Sequence, residues 1–199
     1  MKKFCIISFL VFINIKFAFA ATLQVLNANN ENEFNQIKNS LQTQKEVRGN
    51  FKQIRVIKLL SKPLVSTGTF ELSQTKGLTW NQQQPFPSLL IVTDNEISQK
   101  IGNNPPTVLT KSEQPIVFAF THIFLSLFQG DIDLVKSYFT ISFTGNKNNW
   151  QIQLKPNQSP LDKAIHLIDL SGGKYLSKIK IDQAQGNEMT IYLSNIKEF

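Results

Sequence analysis

Few residues of this chain have the types and spacing that catalysis or metal binding requires. The only cysteine is Cys5, and the two histidines, His122 and His166, are not spaced as a pair of metal ligands. A single histidine in an apolar segment is more often a structural residue than a ligand. The chain also lacks a Gly-x-Ser-x-Gly motif, which leaves a hydrolase triad without support.

Two acidic pairs are better explained by turns and loops than by chemistry. Asp131 and Asp133 lack the further ligands of a calcium-binding loop, so we expect a solvated loop there. Asp94-Asn95 is a predicted turn, which accounts for Asp94 and Glu96 without an acid–base pair. We therefore expect no catalytic residue, no metal site and no cofactor.

The N-terminus has the pattern of a secretory signal peptide. Two lysines precede an apolar run from Phe4 to Ile13, and Ala18-Phe19-Ala20 matches a cleavage site of small residues. About ten apolar residues are too few for a membrane span, which needs about 20. We expect residues 1–20 to be removed and residues 21–199 to form one periplasmic domain without disulfides.

The net charge of the chain is mildly positive. Loss of the signal peptide lowers it from +7 to +4, because that segment contains three lysines and no acid. Basic residues do not form a stripe with interleaved aromatics, so nucleic acid is not expected as a partner. The charge supports at most a weak attraction to anionic membrane surfaces or acidic partners.

A helix followed by antiparallel strands is predicted for the first half of the domain. Phe34, Ile37 and Leu41 form one apolar stripe within residues 29–43, which indicates an amphipathic helix. From Val47 to Ile101, short apolar runs alternate with turn residues, as in about five antiparallel strands.

The second half begins with an apolar segment, residues 115–129, and then returns to strands. As a helix this segment is apolar around nearly its whole circumference, so it must be buried on more than one side. About five strands follow, and in one of them Trp150 begins a strict alternation of apolar and polar residues. The pattern predicts an α+β fold. The phenylalanines of the apolar segment are Phe118, Phe120, Phe124 and Phe128.

The abundance of aromatic residues has two explanations. One is an ordinary core, in which an aromatic strand face lies beneath a helix. The other is a sheet that curls into an open half-barrel, with the apolar helix plugging its concave side. An interior of that kind could accept acyl chains when the plug moves.

The apolar segment favours the second explanation, because a helix that is apolar all round cannot bury every face against one sheet surface. The predicted strands also carry three motifs in a fixed order. Residues 51–55 read F-x-Q-x-R, residues 62–70 read K-P-L-x-S-x-G-x-F, and residues 77–80 read G-L-x-W. This order resembles the opening strands of LolA-type periplasmic lipoprotein carriers. The likeness extends over most of residues 21–199.

The resemblance implies an incomplete antiparallel β-barrel of about 10–11 strands, with helices covering a concave apolar face. It implies a carrier that is not an enzyme and that moves acylated cargo from an inner-membrane exporter to an outer-membrane acceptor. We expect a monomer. Trp80 matches a cavity-side tryptophan of that family. The residues expected to line the cavity or its lid are Phe51, Phe70, Leu72, Leu78, Trp80, Leu90, Phe118, Phe120, Phe124, Phe128 and Trp150.

Two departures from the family pattern bear on the cargo. The arginine that latches the lid in lipoprotein carriers is replaced here by Gln74, which cannot form a charge-assisted hydrogen bond. The chain also stops at Phe199, where a C-terminal extension is expected in lipoprotein carriers. The cargo is then a lipoprotein, a glycolipid, a lipid-linked intermediate or an acylated pigment precursor. A periplasmic sensor or protein-interaction module with the same half-barrel is the alternative.

Overall fold

Twelve antiparallel strands form one open sheet in the computed structural model, which describes residues 22–42, 45–93, 96–109, 125–126 and 131–199. The strands are β1 (Gln24–Val25), β2 (Glu46–Val56), β3 (Leu64–Ser73), β4 (Gly77–Gln84), β5 (Ser88–Val92), β6 (Ile97–Ile101), β7 (Thr107–Leu109), β8 (Phe139–Asn146), β9 (Asn149–Pro156), β10 (Ile165–Gly172), β11 (Leu176–Gln183) and β12 (Glu188–Glu198). They lie in the order β1-β8-β9-β10-β11-β12-β2-β3-β4-β5-β6-β7, so β1 and β7 are the two edges.

The sheet consists of two meanders that join at one seam. Strands β2 to β7 pair in chain order, and strands β8 to β12 do the same. At the seam, β12 pairs with β2 from Glu188 opposite Val56 to Glu198 opposite Val47. The beginning and the end of the domain therefore become neighbours in space.

Three helices accompany the sheet in the described part of the chain: α1 (Glu31–Gln42), α2 (Ile132–Tyr138) and α3 (Leu161–Ala164). The helix predicted over residues 29–43 is confirmed as α1, and its predicted apolar stripe is buried. The ring of Phe34 in this helix meets the ring of Phe143 in β8 edge to face, with centroids 5.2 Å apart. An ion pair of 2.9 Å between Glu31 and Lys136 links α1 to α2.

The prediction of a solvated loop at Asp131 and Asp133 was wrong, because α2 begins there. The side chain of Asp131 accepts a hydrogen bond from the backbone N–H of Leu134 at 3.0 Å and caps the helix. Ile132 and Val135 are both buried and lie on the same side of this helix of about two turns. An N-cap carboxylate with apolar residues at this spacing indicates a helix start, which outweighs the comparison with a calcium loop.

The strand count of 10–11 was slightly low, because the two edge strands are short. β1 has two residues and β7 has three, too few for an alternating pattern to be recognised. In β9, by contrast, the predicted alternation is confirmed: Trp150, Ile152 and Leu154 are all buried.

Some predicted features lie outside the described residues. These are the signal peptide of residues 1–20, the turn at Asp94-Asn95, and the apolar segment 115–129 apart from two positions. The two positions are Leu125 and Ser126, which are helical and buried. Within the described ranges, no helix has the length and apolarity needed to cross a bilayer.

Aromatic rings lie over glycines where β2 pairs with β3. Gly49 is opposite Phe70, and Phe51 is opposite Gly68. A Cβ on Gly68 would lie 2.8 Å from the Phe51 ring and would collide with the carbonyl oxygen of Asn81. The absence of a side chain at Gly68 therefore provides the space that the Phe51 ring occupies.

We expect Gly68→Ala to lower the free energy of unfolding by about 2–3 kcal/mol, because the added methyl group must displace Phe51 or β4. The matched control is Ser66→Ala, at the preceding inward position of β3. The buried Ser66 hydroxyl has no hydrogen-bond partner among the described residues, so its removal should be neutral or stabilising. Denaturant unfolding of both variants measures the difference, and a Gly68→Ala variant as stable as the wild type would contradict the packing described.

Candidate functional site

One face of strands β2 to β5 carries most of the residues predicted to line a cavity. Alternate residues of a strand point to the same face, so the predicted positions on each strand fall on one side of the sheet. Three of them are buried and three are half-buried against the same core. The buried residues are Phe51, Phe70 and Leu72, and the half-buried residues are Leu78, Trp80 and Leu90.

Trp80 is the centre of an aromatic cluster on this face. Its ring stacks on the Phe51 ring with centroids 3.7 Å apart and planes inclined by 21°. The Phe70 ring lies on the next strand, 6.3 Å from the Trp80 ring. Leu90 is opposite Trp80 in the pairing of β4 with β5. Three strands thus contribute one continuous aromatic surface, and β5 extends it with an aliphatic side chain.

An apolar pocket of about 30 Å³ opens beside this cluster. It has room for one or two water molecules and is about an order of magnitude smaller than a typical small-molecule site of about 300–1,000 Å³. Its lining residues are Val47, Phe70, Leu72, Leu78, Trp80, Tyr175, Leu176, Ile179, Leu193 and Ile196.

The pocket spans the seam between the two meanders. Strands β11 and β12 contribute to its wall on one side, and β2, β3 and β4 on the other. Sequence reasoning found the residues of β3 and β4 but missed those of the last two strands. Alternation in β12 does mark Ile191 and Leu193 as inward, but no local pattern shows that this strand lies beside β2.

The predicted site residues do not all meet at the pocket. Phe51 contacts Trp80 of the pocket through ring stacking. Trp150 does not line the pocket: it lies in β9, separated by β10 from the pocket strand β11 and by five strands from β4, which carries Trp80. The indole N–H of Trp150 donates a 2.7 Å hydrogen bond to the carbonyl oxygen of Gly173. Its role in ligand binding stays a prediction. The four phenylalanines of the apolar segment, Phe118, Phe120, Phe124 and Phe128, lie outside the described residues.

Gln74, at the predicted latch position, lies in the turn between β3 and β4. Its backbone N–H donates to the carbonyl oxygen of Lys45 at 2.9 Å. Beside it, the Glu46 carboxylate accepts a hydrogen bond from Ser73 at 3.1 Å and pairs with Lys76 at 3.3 Å. The charges around this turn therefore hold β2 against the β3–β4 turn, and a latch function of Gln74 stays a prediction.

Groups that could carry out chemistry are sparse around this surface. His166 is exposed on β10. No cluster of three or more histidine, cysteine or acidic side chains that could bind a metal occurs in the described ranges. The surface built from these residues can shelter apolar groups from water, and its described side chains offer no nucleophile with an adjacent base.

A polar network borders the pocket at one end. Tyr175 lines the pocket, and its hydroxyl donates a 3.0 Å hydrogen bond to Glu198. Lys174 pairs with the same carboxylate at 3.3 Å. The hydrogen bond from Tyr175 and, after it, the bond from Lys174 lower the pKa of Glu198 from its ordinary value of 4.5.

Comparison with protein families gives one match that covers most of the chain. The family described as outer membrane lipoprotein carrier protein LolA-like matches residues 27–195. Among curated proteins, none matches the chain significantly.

Three solved structures are similar to this chain at low sequence identity. A LolA superfamily protein from Nitrosomonas europaea is 8% identical, with a TM-score of 0.48 over 85% of this chain and 93% of that one. A DUF1329 family protein from Desulfovibrio piger is 8% identical, with a TM-score of 0.47 over 84% and 92%. The MucA/MucB complex of Pseudomonas aeruginosa is 10% identical, with a TM-score of 0.38 over 85% and 57%. At these scores the three similarities support no further conclusion.

We expect Tyr175→Phe to raise the pKa of Glu198 toward 4.5, because the variant removes the largest cause of its depression. The pKa is lower in the folded state, so this group stabilises the fold fully above pH 4.5 and loses that effect as pH falls through the depressed value. NMR titration of the side-chain carboxyl of Glu198 measures the shift. Tyr192→Phe is the control, since the Tyr192 ring lies over Lys178 instead. An unchanged pKa in Tyr175→Phe would show that this hydrogen bond is not formed in solution.

Proposed function

Because the chain belongs to the LolA-like family of outer membrane lipoprotein carrier proteins, we propose that it is a periplasmic carrier of acylated cargo. In this proposal the acyl chains of a lipoprotein or lipid lie on the apolar face around Trp80. The carrier receives them from an inner-membrane exporter and delivers them to an outer-membrane acceptor. No covalent step is involved, so the protein acts as a shield and not as an enzyme.

The apolar pocket at the seam is the observation that carries this proposal. Its lining side chains in the described part of the chain are aliphatic or aromatic, and among these Tyr175 supplies the one hydroxyl. A surface of this composition suits a hydrocarbon chain, since it offers apolar contact without polar groups that would need partners. The half-buried state of Leu78, Trp80 and Leu90 leaves part of that surface available to a ligand.

The size of the pocket requires that the carrier open to load cargo. At about 30 Å³, it cannot hold an acyl chain in the state described here. Loading must therefore displace side chains or a covering segment. The described state corresponds to the empty, closed carrier in this proposal.

The connection between β7 and β8 is the segment best placed to act as the cover. It starts at one edge of the sheet and ends beside the other, ten strand positions away. In this proposal the connection crosses the concave face of a curled sheet and covers the pocket. The apolar segment 115–129 lies within this connection.

Competition between cover and cargo explains how release remains feasible. Each buried methylene contributes about 0.8 kcal/mol, so a chain of 16 carbons gains about 12 kcal/mol before the entropic terms are subtracted. Without a competing apolar surface, an acyl chain bound this tightly would dissociate only slowly. The phenylalanines of the apolar segment supply a competing surface of similar character, so that closing of the cover offsets loss of the cargo.

A sensor or protein-interaction module is the second candidate, and the filled interior favours it. A protein that binds only other proteins needs no internal space, which agrees with a pocket of about 30 Å³. This candidate predicts a tight protein partner and no bound lipid.

Lipid content separates the two candidates. Native mass spectrometry of protein purified from the periplasm should detect near-stoichiometric lipid, because a carrier retains its acyl cargo during isolation. A second experiment measures the affinity for a fluorescent fatty acid. Phe120→Glu and Phe124→Glu should each lower this affinity by about tenfold or more, because each variant introduces a charge into the apolar cover. Ile91→Glu, at an exposed position of β5, is the matched control. Absence of lipid together with a tightly bound protein would favour the interaction module.

The two tryptophans provide an internal control for the position of the cargo. A brominated fatty acid quenches tryptophan fluorescence on contact, so it should quench Trp80, which lines the pocket. Trp150→Phe should retain the quenching and Trp80→Phe should lose most of it. Equal quenching in both variants would place the ligand elsewhere or along the whole sheet, and would contradict a site centred on Trp80.

A further inference from the structure

One end of the sheet carries a row of exposed apolar side chains that the proposed cargo site does not use. Because strands β2 to β7 are antiparallel, the β2–β3, β4–β5 and β6–β7 turns all lie at this end. Leu59 at the β2–β3 tip is 93% exposed, and Phe86 in the β4–β5 turn is 72% exposed. We call this row the apolar rim; its members are Leu59, Leu60, Leu64, Val65, Phe86 and Ile101.

The apolar rim projects from the sheet and is held in place by hydrogen bonds. The β2–β3 hairpin extends beyond β4, whose pairing with β3 ends at Thr67 opposite Gln84. At its base, the backbone N–H of Lys58 donates to the Asn187 side chain at 3.0 Å. In the neighbouring turn, the Gln82 side chain donates to the Phe86 carbonyl at 2.9 Å. Exposed apolar side chains that are fixed in this way indicate an interaction surface.

Basic residues lie near the apolar rim, and acidic residues lie toward the opposite end of the sheet. Arg55, Lys58 and Lys62 lie in the β2–β3 hairpin, and Lys100 precedes Ile101. In the described residues of β2 to β7 and their turns, the acids are Glu46, Glu71 and Glu96, all toward the opposite end. The nearest acid on another strand, Glu188 of β12, pairs with Lys180 at 3.4 Å.

We propose that the apolar rim docks this protein onto an anionic lipid bilayer. Leucine and phenylalanine side chains insert into the interface, while the basic side chains contact the lipid head groups. Charge complementarity selects this occupant, because a neutral apolar partner would not require four basic residues around the rim. The inference goes beyond the proposed carriage of cargo and does not depend on it, since the rim and the Trp80 pocket are separate surfaces.

Vesicle co-sedimentation of the full chain tests the proposal. The chain should bind vesicles of phosphatidylethanolamine and phosphatidylglycerol more tightly than vesicles of phosphatidylcholine. Binding should weaken as salt rises from about 0.01 M to about 1 M, where the screening length falls from about 30 Å to about 3 Å. Leu59→Glu should weaken binding to the anionic vesicles by about tenfold, and so should Lys58→Glu with Lys62→Glu.

Val25→Glu is the matched control, because Val25 is an exposed apolar residue on the edge strand β1 and receives the same charge. Its vesicle binding should remain within about twofold of the wild type. The substituted positions are exposed, so thermal unfolding of each variant should match the wild type and exclude misfolding. The apolar N-terminal segment, residues 1–21, is the same in these variants and in the wild type. Any vesicle binding by this segment therefore does not change the difference in binding between variant and wild type.

A site-specific probe reports insertion directly. In a Cys5→Ser background, which removes the only native cysteine, Leu59→Cys and Val25→Cys each carry one environment-sensitive fluorophore. The probe at position 59 should shift to shorter wavelength on anionic vesicles, and the probe at position 25 should not. Equal vesicle binding by Leu59→Glu and the wild type would overturn the proposal, and so would the absence of a wavelength shift at position 59. Both results are expected if the apolar rim binds a protein instead of a bilayer.

Discussion

The pairing of β12 with β2 is the interaction on which the rest of this structure depends. Each meander can form from contacts between strands adjacent in the chain, but only this pairing unites them into one sheet of twelve strands. It also creates the pocket, because β11 and β12 meet β2, β3 and β4 only at the seam. Residues about 130 to 150 positions apart in the chain must therefore pair before the apolar face is complete. Such long-range pairing is the slow and entropically costly part of folding an antiparallel sheet.

Glycines opposite aromatic rings determine how closely the interior is filled. Phe51 and Phe70 lie over Gly68 and Gly49 across the β2–β3 pair, and Phe51 stacks on Trp80. Flat rings packed in this way leave a small pocket instead of an open cavity. In the proposed carriage of acyl cargo, this face would exchange one set of apolar contacts for another on loading. Similar burial in the loaded and empty states keeps the free-energy difference between them small.

Local sequence patterns predicted most of the helices and strands, but not which strands pair with each other. The apolar stripe of Phe34, Ile37 and Leu41 predicted α1, and the alternation that begins at Trp150 predicted the buried face of β9. Both follow from repeat lengths that depend only on backbone geometry. Strand β1 and helix α2 were missed because they are short, and because Asp131 and Asp133 match two kinds of motif when taken without their neighbours. Of the predicted site, Phe70, Leu72, Leu78 and Trp80 line the pocket, whereas Trp150 does not and lies in β9, with β10 between it and the nearest pocket strand, β11.

The amino-acid sequence by itself determined which residues are apolar, which face of each long strand they occupy and how sparse the catalytic groups are. It also carried the order of motifs that led to the family. Only the tertiary structure decided which strands are neighbours, and hence that Tyr175, Leu176, Ile179 and Leu193 complete the pocket with Trp80. The physical reason is that side-chain alternation is a property of one strand, with a period of two residues. The choice of a partner strand depends instead on hydrogen bonds and buried area summed over the whole sheet.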